Sequence, residues 1–251
     1  MYFNNVHILI YVAIAVVGFF MGKFVNWCNY RLPKYQKVFS KDIFRTKELE
    51  VYKSNLILSL ITMLIYIVLL YVLGIQKTFL GNLNLIKGLI LTPMLLSAFM
   101  IDYKLQIIPN RLNLTMFEIG IILMFLGGIF NPNIAIDMFF GMLLGAGVFL
   151  LITLIGGLIA GKEAMGFGDV KLMGALGIFF GLTDTIAITL MSFLIGAVLS
   201  VILLATKIRK TDEYIPFGPF IVIAAFIAMV VPFNILLSIL LFIFSLGMIR
   251  N

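Results

Sequence analysis

Long unbroken stretches of apolar residues are the feature that most constrains this chain. Hydrophobic residues make up 63% of its 251 residues, charged residues make up only 12%, and the mean hydropathy is +1.17. An average soluble domain is about half apolar and about a quarter charged. A membrane-spanning helix needs about 20 mostly apolar residues, and the sequence supplies many such stretches. The chain is therefore predicted to be a polytopic membrane protein.

The apolar stretches predict an all-α integral membrane helical bundle with eight or nine spans. The alternation typical of strands is absent, which argues against a closed barrel. The first stretch lacks a basic start and a small-residue cleavage site, so it is predicted to be a retained helix. In chain order the predicted spans are His7–Trp27, Leu56–Leu73, Leu85–Ile101, Leu112–Ile129, Ile134–Ala160, a short one at Leu172–Gly181, Ile186–Thr206, Phe217–Val231 and Ile235–Met248.

Basic residues are concentrated in the connections on one side of the predicted bundle. The loop Arg31–Lys53 holds seven of the eighteen lysines and arginines, and later loops on the same side hold most of the others. Positively charged loops stay in the cytoplasm, so this side is predicted to face inward. The net charge of +7 fits attraction to the anionic headgroups of a lipid bilayer. A nucleic-acid partner fits poorly, because the basic residues flank membrane spans.

Two aspartates stand at breaks between spans on this inner side. Asp102 ends an apolar span, and the later Pro109 disfavours helix just before it, so a break and a new helix start are predicted there. Asp169 follows Gly166 and Gly168, which let the backbone approach a substrate or a partner helix closely. An ionisable group at the edge of hydrocarbon is costly and indicates function by default. A helix cap is the structural alternative for either aspartate alone, and it accounts less well for both together.

A pair of aspartates can hydrolyse a peptide bond with no metal ion or organic cofactor. Two carboxylates about 3 Å apart cannot easily both ionise, so they share a proton. The protonated one polarises the scissile carbonyl, and the ionised one takes a proton from the attacking water. Because such a pair titrates as a unit, the sequence does not assign the two roles.

Histidine and cysteine chemistry is poorly supported. The chain has one histidine, His7, and one cysteine, Cys28. A helix joining them would hold them about 30 Å apart, at opposite faces of the bilayer. A Cys–His pair, a Ser–His–Asp triad at the inner breaks and a multi-cysteine zinc site are therefore not expected, and no metal is predicted.

The other acidic residues have weaker claims to a role in catalysis. On the outer side, Asp137 is predicted to cap a helix start, and Asp184 is predicted to belong to a turn or to cap a helix. Glu163 lies close to Asp169, and its role is left open between tuning that aspartate and holding a loop. Glu118, about two turns into the fourth span, needs a partner or a neutral state there, and a direct functional role is its less favoured interpretation. Solvated loop charges are predicted for Asp42, Glu48, Glu50, Asp212 and Glu213.

Four motifs in order cover nearly the whole chain. They are Gly18–Asn26 leading to Tyr30–Pro33, then Ile101–Leu112, then Glu163–Leu172, and finally Ile215–Pro219. In this order they resemble the bacterial type IV prepilin peptidases, membrane aspartic proteases of the Gly-x-Gly-Asp class. Gly-x-Gly-Asp alone is a weak signal, whereas four ordered motifs make a strong resemblance.

The resemblance implies that Asp102 and Asp169 are catalytic and that the peptidase step needs no cofactor. It implies a prepilin-like substrate, whose basic leader is cut after a glycine at the cytoplasmic face of the bacterial cell membrane. Glu163 is a candidate for receiving basic leader residues. Substrate-binding or supporting roles are implied for Gly166, Gly168, Lys171, Glu163, Pro109, Asn110, Pro216, Gly218 and Asn26.

The first inner loop departs from the pattern of many family members. Many carry paired Cys-x-x-Cys motifs there and also methylate the new N-terminus with S-adenosylmethionine. The segment Pro33–Lys53 has no cysteine, which excludes a zinc-stapled loop and leaves methylation open. The predicted organisation is a methyltransferase-like region without the cysteine motifs at 1–84 and a membrane aspartic peptidase domain at 85–251.

Three alternatives are kept. A transporter also places glycine and proline breaks and carboxylates between spans, but it predicts carboxylates near the middle of the membrane. Another intramembrane aspartyl protease would share the Gly-x-Gly-Asp element without the first and last motifs. A structural pilus-assembly protein would tolerate loss of either aspartate. The sequence predicts neither an oligomeric state nor which prepilins are cleaved.

Overall fold

The fold is helical, in a computed structural model that describes residues 2–3, 6–38, 56–161, 165–206 and 215–244. Six of its helices are long and apolar enough to cross a membrane, and two shorter apolar helices follow. The predicted all-α polytopic bundle is confirmed. The eight helices in this part of the chain are α1 (Ile8–Arg31), α2 (Leu56–Leu73), α3 (Phe79–Leu105), α4 (Asn110–Phe130), α5 (Pro132–Ala160), α6 (Phe167–Ala205), α7 (Gly218–Val230) and α8 (Phe233–Phe244).

A small strand pair precedes the first helix. Strands β1 (Tyr2–Phe3) and β2 (Val6–His7) pair antiparallel, and they are too short for alternation to reveal them in the sequence. The His7 side chain caps α1, because its Nδ1 accepts a hydrogen bond from the N–H of Leu9 at 3.3 Å. His7 thus has a structural role at the start of the first span.

Helix α6 is two helices joined at Gly181. Its 39 residues would extend about 58 Å if straight, nearly twice the hydrocarbon core of a bilayer. Gly181 has φ +79° and ψ −176°, which breaks the helix. A Cβ on Gly145 would lie 3.0 Å from the Met173 carbonyl carbon and 3.2 Å from Thr185 Cγ2. Met173 and Thr185 lie on either side of Gly181 and both border Gly145, so the chain reverses at Gly181. The described residues therefore contain nine α-helical segments and one short 3-10 helix, Leu32–Lys34.

The chain divides into two compact units, Met1–Ile101 and Asp102–Asn251. In the first unit, α1 and α2 approach closely at two glycines that are four residues apart. A Cβ on Gly18 would lie 2.8 Å from Met63 Cα, and a Cβ on Gly22 would collide with the backbone of Ser59. Small residues at this spacing are typical of close helix pairs in membranes. The predicted boundary between residues 84 and 85 separates a methyltransferase-like region from a peptidase domain, and it stays a prediction.

The inner end predicted for α1 is ordered by aromatic and backbone contacts. The Arg31 guanidinium lies over the Trp27 ring at 4.4 Å, and it donates to the Lys37 carbonyl at 2.6 Å. The Trp27 indole N–H donates to the Val38 carbonyl at 3.0 Å. These contacts fold the segment after the Tyr30–Pro33 motif back onto α1. The rest of the basic loop, 39–55, lies outside the described residues.

The second unit packs α4, α5, α7 and α8 around the hairpin of α6. Helices α5 and α6 are so close at Gly141 and Gly177 that a Cβ on either would collide with the backbone of the other. Four aromatic rings fill the space between α5, the second half of α6 and the start of α7. Neighbouring rings of this cluster lie 5.2–6.0 Å apart, and its members are Phe149, Phe193, Phe217 and Phe220.

Candidate active site

Asp102 lies in the last turn of α3 and is 4% exposed. Helix α3 ends at Leu105, Gln106 takes a left-handed conformation with φ +55°, and α4 begins after the extended Pro109. The predicted break is confirmed. The C-terminal end of a helix is an unfavourable place for an anion. This is offset by the N–H of Gly218, at the start of α7, which donates to Asp102 Oδ2 at 3.0 Å.

Asp169 lies in the first turn of α6 and is 3% exposed. Gly166 is the N-cap residue of that helix, and its carbonyl accepts the N–H of Asp169 at 3.0 Å. A carboxylate in the first turn is favoured by the positive end of the helix dipole. Its Oδ1 is buried and has no hydrogen-bond partner among the described residues. Asp169 therefore keeps one buried acceptor unused.

The two aspartates are neighbours within the second unit. They are close enough for their carboxylates to interact electrostatically. The Ile108 side chain packs against the glycines beside both of them. A Cβ on Gly168 would lie 3.2 Å from Ile108 Cβ, and one on Gly218 would lie 3.2 Å from Ile108 Cδ1. Residues that are 67 positions apart thus share one buried part of the fold.

The late motif supplies the hydrogen-bond donor for Asp102. Pro216 is buried, and Phe217 belongs to the aromatic cluster, which fixes the turn into α7. A Cβ on Gly218 would lie 2.5 Å from Asp102 Oδ2, so only glycine leaves the carboxylate its present place. The structure therefore gives Gly218 a direct contact with an aspartate, and Pro216 a place in the turn that holds it.

The predicted supporting residues Asn110 and Lys171 contact each other. The Lys171 ammonium donates to Asn110 Oδ1 at 2.8 Å, joining the starts of α4 and α6 on an exposed side. Asn113 makes a second connection between the same helix starts, with its Nδ2 donating to the Gly168 carbonyl at 3.2 Å. The sequence analysis missed Asn113, because a single asparagine inside an apolar helix has no local pattern to distinguish it.

Other predicted residues take separate places. Glu163 lies outside the described residues, and Asn26 is buried on α1 in the first unit. Glu118 is exposed on α4, about 12 Å along the helix from Asn110, and has no part in the contacts around the aspartates. Asp184 lies in the first turn after the α6 break, and is half-buried.

Asp137 is a helix cap, and the helix start that it caps belongs to a neighbouring helix. It lies in the second turn of α5, and its Oδ1 accepts the N–H of Leu182 at 3.1 Å. It therefore caps the second half of α6 after Gly181. The side chain that caps α5 itself is Asn131, which accepts the N–H of Asn133 at 3.1 Å. The prediction that Asp137 caps a helix start is confirmed, and the helix start is the one after Gly181.

Few described residues suit a bound metal or cofactor. No group of three or more histidine, cysteine, aspartate and glutamate side chains in the described ranges could hold a metal ion. For S-adenosylmethionine, Gly22 is occupied by the close packing of α1 against α2. Asn29 Oδ1 is a buried acceptor with no hydrogen-bond partner among the described residues. These residues do not form a recognisable cradle for the sulfonium and adenine groups, so no step is assigned to that cofactor.

Fold and site together define a polytopic helical membrane protein with a buried pair of aspartates. Residues 89–201 match the model of the type IV leader peptidase family. This range contains Asp102 and Asp169, and the resemblance inferred from the sequence is confirmed over it. The first and last of the four motifs lie outside the matched range, so their assignment stays a prediction.

Several relatives share the name prepilin leader peptidase/N-methyltransferase. The chain is 32% identical over 144 residues to the one from Aeromonas hydrophila, covering 57% of this chain and 49% of that protein. It is 35% identical over 141 residues to the one from Pseudomonas aeruginosa, covering 56% and 48%. The chain thus matches about half the length of these relatives. No solved structure matches it.

Proposed function

We propose that this chain is a membrane aspartic endopeptidase that removes the basic leader of type IV prepilin-like proteins at the cytoplasmic face of the bacterial cell membrane. The observation that carries the proposal is the buried neighbourhood of Asp102 and Asp169, two aspartates from separate breaks. The family match over 89–201 supports the choice of peptidase chemistry. The shared name of the relatives supports prepilin leaders as the substrate class.

The proposed reaction needs only the two carboxyl groups and water. The ionised carboxylate takes a proton from water as the water oxygen bonds to the scissile carbonyl carbon. The protonated carboxyl gives its proton to the carbonyl oxygen. The carboxyl that took the water proton then gives it to the leaving nitrogen as the C–N bond breaks. The other carboxylate takes a proton back from a hydroxyl of the intermediate, and the pair is left with one shared proton. Asp169 Oδ1 accepts no hydrogen bond from the described residues, so we propose it as an acceptor for water or for the shared proton.

The substrate is proposed to place its apolar segment in the bilayer and its leader among the inner loops. The net charge of +7 favours an anionic membrane surface, which would also hold basic leaders close by. Glu163 stays a proposed contact for leader residues, three positions before Gly166. Exposed apolar side chains on the spanning helices fit contact with lipid, as at Leu158 and Ile159.

The test is cleavage of a co-expressed prepilin-like protein by the wild type and by Asp102→Asn and Asp169→Asn. Wild type should convert the precursor to the mature form, and each variant should lose about 10³-fold or more in rate, because an amide can neither take nor share the proton. Asp137→Asn is the matched control. It belongs to the same unit, and its amide oxygen can still accept the Leu182 N–H. It should cleave at the wild-type rate.

Full processing by either catalytic-site variant, at wild-type expression, would remove the two-aspartate mechanism. Cleavage of unrelated single-span helices but not of the prepilin-like protein would favour the broader intramembrane protease. Transport without cleavage would favour the transporter. Loss of cleavage in Asp137→Asn as well would mean that general damage to the fold, rather than the chemistry, explains the result.

N-methylation of the new N-terminus is the second candidate function, favoured by the two-part name of the relatives. The same processed samples can be analysed by mass spectrometry for a methyl group on the mature N-terminus. If methylation occurs, it should depend on S-adenosylmethionine and persist in neither aspartate variant, because the uncut precursor has no free N-terminus at that position. A mature protein that is cut but never methylated would limit this chain to the peptidase activity.

A further inference from the structure

Asn113 is a buried polar residue in the first turn of α4, and the proposed chemistry does not use it. The residue is only 1% exposed. Its Nδ2 donates to the Gly168 carbonyl at 3.2 Å, across 55 positions of sequence. Gly168 directly precedes Asp169, so the hydrogen bond ends on the peptide group that leads into the aspartate.

Asn113 belongs to a pair of connections between two helix starts. Asn110 and Asn113 are three residues apart on α4, and Gly168 and Lys171 are three residues apart on α6. Residues at this spacing lie on one face of a helix. The contact from Asn110 to Lys171 is exposed, whereas the contact from Asn113 to Gly168 is part-buried. Asp169 lies between the two contact points on α6.

The amide oxygen of Asn113 has a second property. Like Asp169 Oδ1, it is buried with no hydrogen-bond partner among the described residues. Leaving a buried acceptor without a donor costs about 1–3 kcal/mol. Native structures keep few such groups, and those they keep call for an explanation such as a catalytic role. Packing at position 113 does not by itself require a polar side chain, so the buried amide calls for another explanation.

We propose that Asn113 is a positioning residue for Asp169. It acts through its amide N–H, which fixes the Gly168 carbonyl and with it the direction of the Asp169 backbone and side chain. The inference rests on the proposed function and adds a residue to that same site. It predicts that the amide supports the chemical step and contributes little to substrate affinity.

The alternative is that Asn113 only holds α4 against α6. That role would change the stability of the protein without changing the rate of the folded enzyme. Asn113→Leu removes the amide at similar volume, and Asn113→Gln keeps an amide one methylene further out. Thr115→Val is the control on the same helix. Thr115 is exposed, and its hydroxyl donates to a backbone carbonyl, that of Arg111, at 2.8 Å.

The experiment measures kcat and KM with a purified prepilin-like substrate and the purified full chain in detergent. Rates are normalised to folded enzyme from thermal unfolding. Asn113→Leu should lower kcat about 10²-fold with KM within about 3-fold of wild type, since a misplacement of about 1 Å is enough for such a loss. Asn113→Gln should recover about 10-fold of that loss. Thr115→Val should match wild type.

A folded Asn113→Leu with wild-type kcat would overturn the inference, and so would a loss confined to KM. The same holds if Asn113→Gln is no better than Asn113→Leu, because side-chain shape and not the amide would then explain the loss. A wild type that cuts no prepilin-like substrate is a different result. It would refute the proposed function itself, so the two failures can be told apart.

Discussion

Two carboxylates in the second unit have nearly the same local arrangement. Asp102 accepts the N–H of Gly218 at 3.0 Å, and Asp137 accepts the N–H of Leu182, the residue after Gly181, at 3.1 Å. In both places the carboxylate lies on one helix and meets the start of another. In both places a Cβ on the glycine would press on a carboxylate oxygen. Local geometry therefore does not separate a helix cap from a catalytic candidate.

The surroundings of the two carboxylates do separate them. Asp137 is exposed, and it satisfies the helix start it faces. Asp102 is 4% exposed and has a second buried carboxylate, Asp169, as its electrostatic neighbour. Bringing two carboxylates together in a buried place is costly, and stability alone does not call for it. The comparison teaches that capping is shared, whereas burial and pairing distinguish the proposed catalytic site.

Among the glycine substitutions, Gly218→Ala should have the largest effect on activity. The new Cβ would lie 2.5 Å from Asp102 Oδ2 and 3.1 Å from its Cγ, so the carboxylate must move. We expect kcat to fall about 10²-fold, which corresponds to about 2.7 kcal/mol in the activation barrier. The measurement is the cleavage rate of a prepilin-like substrate per folded enzyme.

Gly147→Ala is the control for this change. It lies in α5 of the same unit, and a Cβ there would meet nothing within 4 Å. Alanine is favoured over glycine inside a helix by about 0.5–1 kcal/mol, so this variant should be at least as stable as wild type and equally active. Wild-type activity in Gly218→Ala would show that the exact position of Asp102 is not critical. Burial and pairing would then no longer distinguish Asp102 from Asp137.

Gly181→Ala should damage stability and leave the chemistry intact. Gly181 has φ +79°, a conformation that a residue with a side chain rarely adopts, and the new Cβ would collide with the Asp137 carboxylate. We expect the free energy of unfolding to fall by about 1–3 kcal/mol. Thermal unfolding followed by circular dichroism gives the stability, and cleavage per folded enzyme should stay within about 2-fold of wild type. A large loss of kcat in folded Gly181→Ala would show that the break at Gly181 affects the proposed catalytic site.

Much of the helical layout could be predicted from the sequence, because each span leaves a local signal. The span Leu56–Leu73 was predicted with the bounds that the structure has. Helix α3 is longer than its predicted span Leu85–Ile101, since polar Asn82 near its start lowers the local hydropathy. Near the start of α3, the Asn82 side chain donates to the Gln76 and Thr78 carbonyls. The helix includes this polar turn, although its local hydropathy is low.

The site could be predicted in part. Asp102 and Asp169 stand beside breaks that proline and glycine reveal, so their candidacy was visible. The contact of Asp102 with Gly218 joins residues 116 positions apart, and only the late motif pointed to it. The Asn113 contact and the Phe149–Phe193 stacking at 5.4 Å left no signal, because each depends on which helices pack together. Such tertiary contacts cannot be obtained from local patterns in one sequence.

Gly168→Ala should give the smallest change at the candidate site. A Cβ there would lie 3.2 Å from Ile108 Cβ and 3.5 Å from Ile108 Cγ1, so the neighbour must give by a few tenths of an ångström. Ile108 also borders Gly218, and its displacement would reach the surroundings of both aspartates. Because no carboxylate atom is struck directly, we expect kcat to fall only about 2–5-fold, a change of about 0.4–1 kcal/mol in the barrier.

Gly174→Ala tests whether that small loss belongs to the aspartates. It lies on the same helix and is equally crowded, with a new Cβ 3.1 Å from Ala146 Cβ and from Phe117 Cζ. Crowding by itself should lower the melting temperature of both variants, whereas only Gly168→Ala should lower kcat per folded enzyme. Equal loss of kcat in the two would mean that packing of α6 as a whole controls the rate. A loss in Gly168→Ala alone would tie the rate to the few residues that border both carboxylates, because Ile108 is the contact through which that substitution acts.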